Sequence, residues 1–218
     1  MLANIVLQFF LKGGPVMWPI LLCALVAVAV VGERAFWWWR ESLERDPQKM
    51  EQLLAALENS DVAAARQISA GSNDPVIRVI RHGLDHLGHA HGSLIGALQL
   101  AAGVELKRAG RFLTVMDTLV TLAPLLGLLG TVVGMIKVFT VITSKGVGDP
   151  ALLAGGISYA LLTTAAGLTV AIPTLIFYRY FRGKVDELVV TMEQEALKMV
   201  EVMHGERERE AHGEGNPK

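Results

Sequence analysis

Only one cysteine, Cys23, occurs in the 218 residues. No intramolecular disulfide can form, and no cysteine-based metal site can be built. Charge is also sparse: Asp, Glu, Lys and Arg make up 19% of the chain, and hardly any of them falls within three long apolar stretches. The net charge of −1 leaves no basic footprint and gives no support for nucleic acid as a partner, so none is expected. No basic run precedes the first apolar stretch, because Lys12 is the only charge before Glu33. Lacking a basic leader and a convincing small-residue cleavage site, that stretch reads as an uncleaved anchor rather than a signal peptide. The central turns of the second and third stretches hold no Asp, Glu or His. A proton relay through a membrane needs a titratable group at depth. Either this chain conducts no protons, or a partner supplies the carboxylate. The same stretches lack a Ser/His pair, paired aspartates or a His/Glu metal set. An intramembrane enzyme therefore has no support, and no catalytic residue, metal or cofactor is assigned.

Hydrophobic residues make up 52% of the chain, the composition of a membrane protein. The apolar stretches span 16–36, 114–142 and 152–178. Each meets the roughly 20 residues that a helix needs to cross the hydrocarbon core. The link 143–151 contains Gly146, Gly148 and Pro150, so the last two spans form an antiparallel hairpin. Lys and Arg crowd the stretch 37–113 and follow the third span at Arg179, Arg182 and Lys184. The opposite side has Lys12, Lys145 and Lys137. The positive-inside rule places the N-terminus in the periplasm and the C-terminus in the cytoplasm. Residues 1–15 read as an interfacial helix, with Phe9 and Phe10 dipping into the lipid. In 37–113, Asp46-Pro47 and Asp74-Pro75 each set an N-cap acid before a proline at the first helical position. Ser60 can cap a third helix ending at Gly71, and Ser93 can start a fourth that runs unbroken into the second span. Beyond the third span, Val185, Leu188, Met192, Met199 and Met203 recur at helical spacing, predicting a cytoplasmic helix over 179–204. The charged, Gly-rich 205–218 reads as a disordered tail. The fold class is an all-α membrane protein of three transmembrane helices with long cytoplasmic helical extensions.

Small residues line one face of each inner span. They are Ala123, Gly127, Gly130, Thr131 and Gly134 on the second, and Ala160, Thr164, Gly167, Ala171 and Thr174 on the third. Membrane helices pack closely through such faces, which is the plain reading of the glycines. Thr131 and Thr164 each lie about 12 residues from the outer end of their span. At ~1.5 Å per residue both fall roughly 18 Å below the outer surface. In a symmetric oligomer they would form a polar girdle around a lumen. The alternative is that each hydroxyl bonds back to its own helix.

Three further features carry bland readings. His82, His86 and His89 share a helical face; a solvated face suits them better than a metal site. Glu33 and Arg34 read as an interfacial charge pair, and Trp37, Trp38 and Trp39 as an interface belt. A scaffold without ion transport competes with an ion channel at this stage.

The stretch Leu122-Ala-Pro-Leu-Leu-Gly-Leu-Leu-Gly-Thr-Val-Val-Gly-Met135 resembles the second-span signature of the ExbB/TolQ/MotA proton-channel family. The stretch Gly156-Ile-Ser-Tyr-Ala-Leu-Leu-Thr-Thr-Ala-Ala-Gly-Leu-Thr-Val-Ala-Ile-Pro173 resembles its third-span signature. Three spans with the N-terminus outside are closer to the ExbB and TolQ type than to four-span MotA. The resemblance implies a homopentamer in the bacterial inner membrane whose second and third spans line a central pore. It implies an ExbD/TolR-like single-span partner whose membrane aspartate carries the proton, and a TonB/TolA-like energy transducer. The work powered would be outer-membrane import, envelope maintenance or surface motility. The family's pore threonines fall on Thr131 and Thr164 and its prolines on Pro124 and Pro173, with Gly127, Gly130, Gly134 and Gly167 packing the helices. One departure stands out. Several ExbB-type members carry a third-span glutamate where this chain has Tyr159.

Overall fold

The computed structural model describes residues 14–59, 61–86, 91–145 and 150–213. All regular structure among the described residues is helical. The helices are α1 (Met17–Glu44), α2 (Pro47–Glu58), α3 (Val62–Ser69), α4 (Pro75–Asp85), α5 (His91–Ala109), α6 (Leu113–Lys145) and α7 (Pro150–Gly213). Three of them, α1, α6 and α7, are long and apolar enough to cross a membrane. Residues 1–13, with Phe9 and Phe10, lie outside the described residues, as do Ser60, His89 and the link residues 146–149.

The chain divides into two compact units. The first comprises Met1–Ala35 and Phe112–Phe181; the second comprises Phe36–Arg111 and Arg182–Lys218. The first unit is held by small side chains. Cys23 and Ala27 of α1 meet Leu119 and Ala123 of α6 and Ala171 of α7. Val16, Met17 and Ile20 pack on Leu126, Ala166 and Val170. Large apolar side chains such as Leu25, Val28, Leu128, Phe139 and Leu161 point outward, as in a helix bundle whose solvent is lipid.

Arg34 departs from the interfacial reading. It is 1% exposed, paired with Glu33 at 2.6 and 2.9 Å, with its guanidinium 5.8 Å from the centre of the Phe112 ring. Phe112 itself has φ of 63°. It follows Gly110 and Arg111 in the break between α5 and α6, so the fourth cytoplasmic helix does not run unbroken into the second span. A non-glycine residue at positive φ is tolerated only where its surroundings hold it.

The second unit has an ordinary core. Leu53 and Leu57 of α2, Ile77, Ile80 and Leu84 of α4, Leu98 of α5 and Leu188, Met192 and Met199 of α7 are all buried together. Trp37 and Trp38 are half-buried and pack against this core, whereas Trp39 is exposed, so two of the three tryptophans read as a belt also serve as packing. Asp46 and Asp74 cap α2 and α4 through Lys49 N and Val76 N. Asp61, not Ser60, caps α3 by accepting from Ala64 N at 2.9 Å. α5 begins at His91, two residues before Ser93. α7 continues to Gly213, through most of the stretch read as a disordered tail; Glu and Arg are strong helix formers and carry it past Gly205.

Candidate functional site: the small-residue seam of the inner hairpin

The glycines of α6 stand where α7 comes closest. A Cβ on Gly127 would meet Thr163 O and Thr164 Cα, each at 3.0 Å; one on Gly134 would meet Tyr159 Cδ1 at 2.9 Å. At Gly130 it would run into the Thr163 side chain. Gly167 of α7 returns the contact: its Cβ would lie 2.5 Å from Ala123 O. The two helices therefore press together at Gly130 and Gly167, where a methyl would force a neighbour to shift, and pack tightly at Gly127 and Gly134. Pro124 lies half-buried within α6 and Pro173 exposed within α7; both helices are continuous through them.

The two threonines differ in setting. Thr131 Oγ1 donates to Leu128 O on its own helix at 2.6 Å. Thr164 Oγ1 donates across the hairpin to Gly127 O at 3.2 Å. Their levels differ too. With Gly127 beside Thr164 and Gly134 beside Ala160, Thr164 lies about three residues, roughly 4–5 Å, nearer the Leu113 end of α6 than Thr131. Counting residues from the span ends made the two equal because the hairpin register is not set by the link. Both hydroxyl protons rest on backbone carbonyls, and both oxygens keep lone pairs that can accept.

Thr163 was not singled out by sequence, yet it is the buried member of the pair, at 0% exposure. Its hydroxyl donates to Ala160 O at 2.9 Å. Neighbouring threonines on a helix lie about 100° apart. Only the register decides which one enters the seam.

Tyr159 fills the position of the family glutamate. Its ring lies against Gly14 and Gly134, and its hydroxyl is buried without a hydrogen-bond partner among the described residues. The Lys137 ammonium stands 5.1 Å from the ring centre. Between Asp117 and the end of α6, and from Pro150 to Phe181 in α7, no Asp, Glu or His occurs. His82 and His86 lie at the end of α4, where His86 Nδ1 is 2.8 Å from His82 O. Among the described residues no group of three His, Cys, Asp or Glu is placed to hold a metal ion.

Three helices long and apolar enough to cross a membrane, two of them closed on each other through glycines, define a multi-pass membrane protein. The MotA/TolQ/ExbB proton channel family matches residues 71–194. An ExbB-like biopolymer transport protein of Synechocystis is 37% identical over 177 residues, covering 79% of this chain and 69% of the relative. A second from the same organism is 34% identical, covering 79% and 83%. An ExbB homologue of Methanothermobacter thermautotrophicus is 30% identical, covering 86% and 67%. The chain belongs to the MotA/TolQ/ExbB proton channel family. Its members are channel and stator subunits, not enzymes.

Proposed function

We propose that the chain is the channel-forming stator subunit of a proton-driven motor in the bacterial inner membrane. It assembles as a homopentamer, N-terminus in the periplasm, with α6 and α7 around a central pore. An ExbD/TolR-like single-span protein enters that pore and brings the aspartate that carries the proton. A TonB/TolA-like transducer takes up the work, in outer-membrane import or envelope maintenance. The observation that carries this reading is the hydroxyl-bearing hairpin without an acidic group or histidine at depth, in a chain that belongs to a proton channel family.

The chemistry at Thr131 and Thr164 then has two states. Opposite a neutral partner carboxylic acid, each threonine keeps its proton on the backbone carbonyl and accepts the acid's proton in a hydrogen bond. Opposite the ionised form, the hydroxyl turns and donates to the carboxylate. The carbonyl it leaves retains its helical hydrogen bond, so the turn is cheap. A hydroxyl that donates to the ionised form offsets part of its desolvation cost and so lowers the barrier to ionisation.

Thr→Val keeps the shape and removes the hydroxyl. A hydrogen bond to a charged group contributes about 1.5–3 kcal/mol, which corresponds to roughly tenfold to a hundredfold in a barrier-limited step. Thr131→Val and Thr164→Val should co-purify with the partner yet lose proton flux by that factor in liposomes. The chain without its partner should pass none. Wild-type flux in both variants, or flux from the chain alone, overturns the mechanism.

A further inference from the structure

Glu41 lies beyond the apolar stretch of α1, in the second unit. It is 7% exposed, and its Oε1 is buried without a hydrogen-bond partner among the described residues. The charges that act on it through space sit on three elements: Arg78 on α4 with Asp74 at that helix's N-cap, Glu105 on α5, and Glu44 on α1 itself. Arg78 is the one cation in this set, and it is already engaged. Its Nε and Nη2 hold the two oxygens of Glu105 at 3.0 and 2.8 Å, and its Nη1 donates to Asn73 O.

The other acids are also occupied. Asp74 accepts from Val76 N at 2.8 Å and from Asp46 N at 3.2 Å. Glu44 accepts from Arg40 Nε at 3.0 Å. Glu105 lies 3.5 Å from Arg108 Nη1 as well. His82 and His86 line, with Arg78 and Glu105, a cavity of about 200 Å³. Glu41 is thus a buried carboxyl in a neighbourhood where the guanidinium is spent on another acid. Burial of an unpaired carboxylate is strongly unfavourable, and the neutral acid is the cheap form.

We propose that Glu41 is a proton-operated latch of the second unit: neutral, it lies quietly beside α4 and α5, and ionised, it competes with Glu105 for Arg78 and loosens the α4–α5 pairing. Ionisation releases the proton to solvent and breaks no covalent bond beyond O–H. Desolvation raises the proton affinity of Glu41 above the usual carboxylate range; Arg78 opposes this, and Glu44, Glu105 and Asp74 add to it. The unfolded chain therefore binds fewer protons than the folded one in the window between the two values. Stability from this group is full below the ordinary carboxylate range and falls as pH rises through the folded value. The latch does not depend on the channel reading.

The test uses the full chain in lipid nanodiscs. Infrared difference spectra against pH follow the carbonyl band of a neutral carboxylic acid, while amide hydrogen exchange, corrected for its intrinsic pH dependence, follows α4 and α5. The band should persist above the ordinary carboxylate range and be absent from Glu41→Gln. Exchange in α4 and α5 should rise several-fold as the band disappears, and should stay flat in Glu41→Gln. Glu105→Gln frees Arg78 and removes a negative neighbour, so the band should vanish at a pH lower by about one unit. A band unchanged by Glu41→Gln, exchange that does not follow the band, or no shift in Glu105→Gln overturns the proposal.

Discussion

Gly130 and Gly183 are both helical glycines, and a methyl group has opposite consequences at the two. At Gly130 it would collide with the β-branched side chain of Thr163, which is itself fully buried and cannot move aside. At Gly167 it would meet the backbone oxygen of Ala123. At Gly183 nothing lies within 4 Å. Overpacking a close helix contact costs about 1–3 kcal/mol, whereas Gly→Ala at an open helical position gains up to about 1 kcal/mol. Gly130→Ala and Gly167→Ala should lower the thermal unfolding midpoint in detergent micelles, while Gly183→Ala should hold or raise it. Equal behaviour of all three would show that the seam is not the packing contact. The small-residue face was legible from spacing alone. What spacing did not convey was which of Thr163 and Thr164 enters the contact, because that depends on how far one helix slides along the other.

The short helices of the second unit were legible at their starts, since Asp-Pro supplies both a side-chain acceptor and a fixed φ. The caps are not equivalent. Asp61 is exposed and accepts one bond, from Ala64 N. Asp74 is buried and serves Val76 N, Ile77 N and Asp46 N. Asp61→Ala should cost about 1 kcal/mol. Asp74→Ala strands buried donors and should cost about 2–3 kcal/mol. Circular-dichroism melts of the full chain separate the two; a smaller loss at Asp74 than at Asp61 contradicts the assignment. The break between α5 and α6 had a local signal: Lys107 and Arg108 stand in the last turn of α5 and Gly110 follows its last residue, Ala109, the usual marks of a helix end. The left-handed turn at Phe112 occurs in a tertiary setting, beneath the guanidinium of Arg34, and no local propensity encodes it. The reach of α7 was missed for the opposite reason: charge and glycine beyond residue 204 suggested loss of order, while the intrinsic preference of Glu and Arg for helix prevailed.

At the scale of the whole molecule, chain composition separates the two units. The first holds the apolar stretches, and the second holds the nine basic residues from Arg40 to Arg111 that follow the first span. If the three apolar helices span the bilayer, the side that carries these charges is the side that remains untranslocated, because moving lysine and arginine across a polarised membrane is unfavourable. Three spans then leave the N-terminus and the link 143–151 together on the far side. Single cysteines report this directly, and the native Cys23 does not interfere because it is buried at 6% exposure. In intact bacterial cells, a cysteine at Gly148 should react with a membrane-impermeant maleimide. One at Ser72, in the turn between α3 and α4, should react only after the cells are permeabilised. The reverse pattern would place the helical second unit in the periplasm. The orientation proposed for the motor would then fail.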